Sequence, residues 1–329
     1  MHYAIERACR SLLNCGYLPI IFFTKRDVLN ENPGPRQKIW DLESTKQILR
    51  KQLPQGSWRY PNARAKELNP LQDYDQLETY RCLGQLVEKC GMDRTHLAIQ
   101  KAAEFLFTKQ TEEGDFRGIY GKQYTPNYSA GIMELLIKAG YGNDARIGRG
   151  FRWLLAVRQS DGGWAIPLRT AKRNFRRGPT SLLNSSVPIQ PDFSCPSSHM
   201  VTGVVLRAFA AHGEYRNNDV AVAAADLLVT GFFKRDAYAD RGGPEYWERV
   251  SFPFWFTDIV SALDSLSLIG RAPMYNLEIE NALKRLLTHQ IENGLFKLKL
   301  LKSGDHLLKY WETLAITRIL KRYHSLGAE

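Results

Sequence analysis

Residues 51–58 read KQLPQGSW: a glutamine, three residues, a glycine, one residue and a tryptophan. The same shape returns as KQTEEGDF at 109–116 and as HQIENGLF at 289–296. It returns slightly altered as VRQSDGGW at 157–164, where Arg158 takes the glutamine position and Gln159 stands one residue late. Each copy ends a segment of helical periodicity. Before Gln290 the apolar residues are Ile279, Ala282, Leu283, Leu286 and Leu287, one stripe of a surface helix. Before Gln110, Ile99, Ala102, Ala103, Leu106 and Phe107 give the same stripe. The glycine then permits a turn that a side chain obstructs, and the aromatic fills the gap between neighbouring units. The glutamine amide can serve the orphan backbone groups of an adjacent helix end. The motif is a joint between helices.

A second kind of helix follows each joint. Residues 199–211, HMVTGVVLRAFAA, are apolar nearly all round, which means buried. Residues 128–139 and 254–269 are similar, and several of these helices stop at a glycine: Gly91, Gly140, Gly213 and Gly270. Outer helices are therefore expected near 41–52, 94–109, 144–158, 217–229 and 276–290. Inner helices are expected near 73–90, 127–139, 198–212, 254–269 and 305–323. The joint aromatics Trp58, Phe116, Trp164, a degenerate Phe233 and Phe296 are spaced unevenly. That suits a closed barrel of helix pairs with individual loops better than a regular solenoid.

These four segments resemble the QW repeats of the superfamily of squalene–hopene cyclases and protein prenyltransferase β-subunits, over residues 41–323. The resemblance implies an all-α fold, one α/α toroid of about six outer–inner helix pairs. The helix near 2–14 supplies the sixth, so residues 1–40 complete the toroid and 41–329 form the repeats. The chain is about half the length of a two-toroid triterpene cyclase.

Composition fits this reading. With 329 residues, 44% hydrophobic and 24% charged, the chain is long enough for a sizeable core and reads as globular. The five cysteines form no CxxC pair, which favours a reducing, cytoplasmic setting over a disulfide framework. No signal peptide is expected at the N-terminus, where Glu6, Arg7 and Arg10 interrupt the apolar pattern. The net charge of +11 is spread over helix faces, with one dense cluster at Arg169, Lys172, Arg173, Arg176 and Arg177. That cluster suits an anionic head group or an anionic membrane, or is simply a solvated loop. No nucleic-acid motif surrounds it.

Candidate chemistry sits before the inner helices. Class II terpene cyclases protonate an alkene with the middle acid of a DxDD motif, and DYDQ at 73–76 resembles it with Gln76 in the last position. The resemblance makes Asp75 a general acid supported by Asp73; the plainer reading makes them the N-cap and a first-turn residue of a helix. Asp192, Cys195 and His199 are all zinc-capable, but their spacing departs from the prenyltransferase pattern, so no metal is expected. The cavity lining is expected from Tyr128, His199, Trp255, Phe256, Asp258, Tyr310 and Trp311, since aromatic faces stabilise carbocations. The expected ligand is an isoprenoid or other apolar chain in a central aromatic-lined cavity, with no cofactor. A non-catalytic lipid- or peptide-binding toroid and a glycosidase-like toroid using Asp75 and Asp258 stay open, as do a peripheral membrane contact and a second subunit.

Overall fold

The computed structural model describes residues 1–171, 187–238, 242–271, 276–301 and 305–326. Its helices alternate between an outer and an inner layer in six pairs. The outer members are α1 (His2–Leu13), α3 (Glu43–Arg50), α5 (Leu97–Phe107), α7 (Ala145–Ala156), α9 (Asp219–Thr230) and α11 (Leu277–Leu287). The inner members are α2 (Leu18–Phe23), α4 (Tyr74–Gly84), α6 (Pro126–Leu136), α8 (His199–Ala211), α10 (Ile259–Ile269) and α12 (Leu308–Leu326). Three inner helices run on into a wider π turn, at Thr24–Leu29, Gln85–Lys89 and Ile137–Tyr141.

Local sequence sets these elements. Helix α11 buries Ile279, Ala282, Leu283 and Leu286, and Asn276 caps it by accepting from the N–H groups of Glu278 and Ile279. Helix α8 is buried from Val201 to Ala210 and is capped by Ser198, which accepts from Val201 N–H. The inner helices pack in the order α4, α6, α8, α10, α12, and α12 packs on α1 and α2. Phe23 at the end of α2 then reaches Gly91 beyond α4, which completes the ring.

The joint repeats in atomic detail. Gln52, Gln110 and Gln290 each donate from Nε2 to the glycine carbonyl of their own turn, at 2.8–3.0 Å. Each also donates to a carbonyl in the first turns of the next outer helix: Ala98, Arg146 and Ala4 at 2.8 Å. The backbone N–H of Trp58, Phe116, Trp164 and Phe296 donates to a hydroxyl of the following inner helix, from Thr79, Ser129, Thr202 and Thr313, at 3.0 Å. All four aromatics are buried.

Two joints differ. Gln159 donates to the carbonyls of Asp192 and Cys195 and so pins a loop, because the long connection after Trp164 displaces the next outer helix in sequence. At the fifth joint Phe232 and Trp247 are buried, while Phe233 stays half-buried at a positive φ of 57° under the Arg285 guanidinium. Trp247 thus does the filling that the sequence pattern assigns to Phe233.

One expected helix start moves. Residues 252–257 are not helical; the chain bends at Phe252 and Pro253, and α10 begins only after its cap Asp258. Strand β1 (Arg249–Val250) pairs in parallel with β2 (Lys299–Leu300) and ties this segment to the last connection. Among the described residues no helix is long and apolar enough to cross a membrane.

Candidate functional site

The segment 250–257 enters the centre of the barrel and fills it. Phe252 stacks on Trp311 with ring centroids 5.3 Å apart and planes 8° from parallel. Phe254 meets Phe252 edge-on at 5.5 Å. Trp255 packs edge-on against Tyr80 at 5.1 Å, and Tyr80 meets Tyr128 at 6.3 Å. A Cβ on Gly84 would lie 2.8 Å from the Trp255 ring, and one on Gly203 would lie 2.3 Å from Thr257, so these inner helices carry glycine where the plug presses on them.

Two spaces flank the plug. A bowl of about 870 Å³ opens where the inner helices end, at Glu88, Lys138, Asp264 and Arg322. Its rim carries Arg26, Arg36, Arg318 and Lys321, and its floor is Phe23, Phe252, Phe254 and Ala315. A narrow crevice with no room for a water molecule runs along the plug, lined by Val250, Phe252, Phe254, Val260, Leu308, Ala315 and Glu312. The sequence pattern places the candidate chemistry at the inner helix starts. The plug occupies that end, and the bowl lies at the other.

Buried charges cross the barrel beneath the bowl. Lys138 Nζ bonds Glu88 Oε1 at 2.5 Å and Glu134 Oε1 at 2.8 Å. Arg207 Nε donates to the other Glu134 oxygen at 2.9 Å, and its Nη1 donates to Phe256 O at 3.3 Å. Asp258 faces this arginine. Its Oδ1 accepts from Ser261 N–H at 2.9 Å, and Oδ2 is buried with no partner. Burial pushes the Asp258 carboxyl up to about 7, against the Ser261 N–H and the Arg207 charge that favour ionisation. Glu312, the next acid along, is also buried, and its Oε1 has no partner. Burial pushes it up to about 8; the Leu298 N–H opposes this and the Asp258 charge adds to it.

The acid pair expected at 73–75 sits elsewhere. Asp73 caps α4 by accepting from Gln76 N–H at 2.8 Å and is ion-paired with Lys109 at 2.8 Å. Asp75 takes the Lys66 ammonium at 2.6 Å and the Tyr60 N–H at 2.8 Å. Partial burial works to raise its carboxyl, but these donors outweigh it and hold it below the usual range. An ionised, lysine-paired carboxylate at the outer edge has no proton to give at neutral pH. The assignment of Asp75 as general acid, with Asp73 in support, is therefore corrected: both act as the start of a helix. Asp75 also shares no partner with Asp258, so the glycosidase-like pairing is not formed.

The expected lining divides. Trp255, Phe256, Asp258 and Trp311 meet at the plug, and Tyr128 joins them through Tyr80. Tyr310 stands half-buried at the start of α12 beside Lys309 and lines neither space. His199 is not in the cavity either. It lies against Trp247 at 4.8 Å and Asp236 at 3.5 Å, within the fifth joint, and burial lowers its pKa against the Asp236 charge. Cys195 is turned to the Thr170 carbonyl and Asp192 to Ser194. Among the described residues no group of three His, Cys, Asp or Glu side chains could hold a metal. Arg169 lies in the single turn of a short helix, Pro167–Thr170. Lys172, Arg173, Arg176 and Arg177 lie outside the described residues.

No family model and no curated protein matches the sequence. Solved structures do match along nearly the whole chain. An apo variant of the type II terpene cyclase MstE from Scytonema superposes with a TM-score of 0.50 at 14% identity, covering 99% of this chain and 97% of that one. Another MstE variant, in complex with geranylgeranyl dihydroxybenzoate, gives 0.47 at the same identity and coverage. A protein from Actinoplanes gives 0.44 at 12% identity, covering 98% and 99%. At such identity the likeness bears on the fold alone, a terpene-cyclase-like one.

Proposed function

We propose that this chain holds an amphipathic isoprenoid, with its anionic head at the basic rim of the bowl and its prenyl tail on the aromatic floor, for acid-initiated cyclisation. The carrying observation is that Phe252, Phe254 and Ala315 line both the open bowl and the closed crevice. A small displacement of the Phe254 ring joins the two spaces and brings a bound tail to the buried acids. Six cations face four carboxylates around the bowl, so an anionic head group is favoured there.

The test is fluorescence titration with geranylgeranyl diphosphate, geranylgeraniol and palmitate, read through the plug tryptophans. The diphosphate should bind most tightly, and Lys321→Ala with Arg322→Ala should weaken it at least tenfold while leaving geranylgeraniol nearly unaffected. Equal or absent binding of all three ligands counts against the reading. One observation favours a second reading, a toroid that binds without turnover: the crevice is closed to water in this conformation. Incubation with the polyprene and analysis for cyclised product separates the two.

A further inference from the structure

Resting on the isoprenoid reading above, we propose that Glu312 is the proton donor of the site, delivering its proton from the unpartnered Oε1 to an alkene of the prenyl chain. Glu312 lies in the second turn of α12 and is only 3% exposed. It lines a crevice whose other walls are the aliphatic and aromatic side chains named above, with Ser251 the one polar neighbour among the lining residues. One carboxyl oxygen takes the Leu298 N–H, and Oε1 takes nothing. A carboxylate with a bare oxygen in such surroundings is costly, whereas a neutral acid is tolerated. The place therefore holds a carboxylic acid whose free oxygen meets apolar space.

Asp258 is the charged group that faces Glu312, with Arg207 and Glu134 behind it; Lys89 lies over the Trp311 ring. The two acids share one region, so ionising one resists ionising the other. Asp258 has the Arg207 charge, the Ser261 N–H and the N-terminus of α10 to support a negative charge. Glu312 has a single N–H. Asp258 is thus the first to ionise, and Glu312 keeps its proton through neutral pH.

The step balances without a further reactant. The Glu312 O–H bond breaks, and the alkene π pair forms a C–H bond at the less substituted carbon. The adjacent carbon becomes a cation beside the Phe252 and Phe254 rings. The π pair of the next alkene closes a ring, and a C–H proton returns to a carboxylate of the pair, regenerating the acid. The net change is isomerisation.

The experiment uses full-length protein, a geranylgeranyl substrate and D2O, with Glu312→Gln, Glu312→Asp and Asp258→Asn. Glu312→Gln should bind the polyprene as wild type does and lower turnover by about 10²–10⁴-fold. Glu312→Asp should restore part of it, and the product should carry deuterium at one carbon. Independently of turnover, in the Asp258→Asn background the infrared carbonyl band of a protonated carboxyl should be present at neutral pH and be lost when Glu312→Gln is added. Wild-type turnover in Glu312→Gln, or a band that survives it, overturns the proposal. Protein that binds the chain and never forms labelled product overturns it too and leaves the binding reading standing; failure to bind overturns both.

Discussion

Gln290 donates its side-chain amide to the main-chain oxygen of Ala4 at 2.8 Å, across 286 positions of sequence. Arg7 answers from the other side, donating to the carbonyls of Ile291 and Glu292. The last outer helix is thereby joined to the first by the contact that joins α3 to α5 and α5 to α7. Gln290→Ala removes two hydrogen bonds, and Gln110→Ala removes the same two and a third that its Oε1 accepts from exposed Arg149; each is expected to destabilise by about 1–3 kcal/mol. The sites are far apart, so the double variant should show the sum. Urea denaturation measures all three, and no loss at Gln290 alone would show that the ring is not closed there.

The glycine of the joint has a second task beyond its turn. Gly294 has φ +85° and a Cβ there would lie 2.4 Å from the Arg7 carbonyl oxygen; Gly162 has φ +99° with nothing within 4 Å. Both alanine variants bear the left-handed strain, about 1–2 kcal/mol. Gly294→Ala must also push α1 away, so its melting temperature should fall clearly further than that of Gly162→Ala. Equal shifts would mean that α1 yields freely.

The fold was legible because the joint needs particular residue types in a fixed order, and a pattern such as QTEEG-F leaves few other readings. The inner helix at 199–211 was legible because burial leaves an apolar stretch. The plug was not. FPFWFTD is as apolar as a helix start, and only its central position explains why Pro253 interrupts it. The acids were half legible: Asp258 stood out before an apolar helix, but Glu312 in KYWETLA looked like an ordinary helix residue. A lone charge inside an apolar stretch was the available signal. Glu134 and Arg207 each have it, and they prove to be bonded to each other. The hydroxyls of Thr79, Ser129, Thr202 and Thr313 were missed because a threonine or serine inside a helix carries no visible mark of its partner.

Asp75 gives a pH signature opposite to that of a catalytic acid. Its folded pKa lies below the ordinary carboxyl value of 3.8, so its pairing contributes stability at neutral pH and loses it as pH falls through the folded value. Asp75→Asn should melt below wild type at pH 7 and converge with it below about pH 3. A gap that widens on acidification would reverse the assignment.

Asp258 and Glu312 have the contrary sign. Their folded values, about 7 and about 8, lie above the ordinary values of 3.8 and 4.5. Between those limits the native protein holds protons that the unfolded chain has released, so stability falls as pH rises. The slope is about 1.4 kcal/mol per pH unit for each proton held. Calorimetry from pH 5 to 8 should show that decline in wild type and a shallower one in Asp258→Asn and in Glu312→Gln. An unchanged slope in both variants would mean that neither group is neutral in the fold.

Phe254 separates the bowl from the crevice, and truncating it tests whether the plug is a wall that a ligand can replace. Phe254→Ala removes a buried ring and should cost about 3–5 kcal/mol, since Phe252 and Ala315 are held by Trp311 and α12 and cannot close the gap. The space that opens is apolar and continuous with the bowl. A prenyl tail that enters it regains contacts the ring had supplied. Binding to the native state alone adds RT ln(1 + [L]/Kd), about 2.7 kcal/mol at a hundredfold excess over Kd. Geranylgeraniol should therefore raise the melting temperature of Phe254→Ala more than that of wild type at the same concentration, while inorganic diphosphate shifts both alike. A smaller rise in the variant would show that the tail does not pass Phe254, and that bowl and crevice are separate spaces.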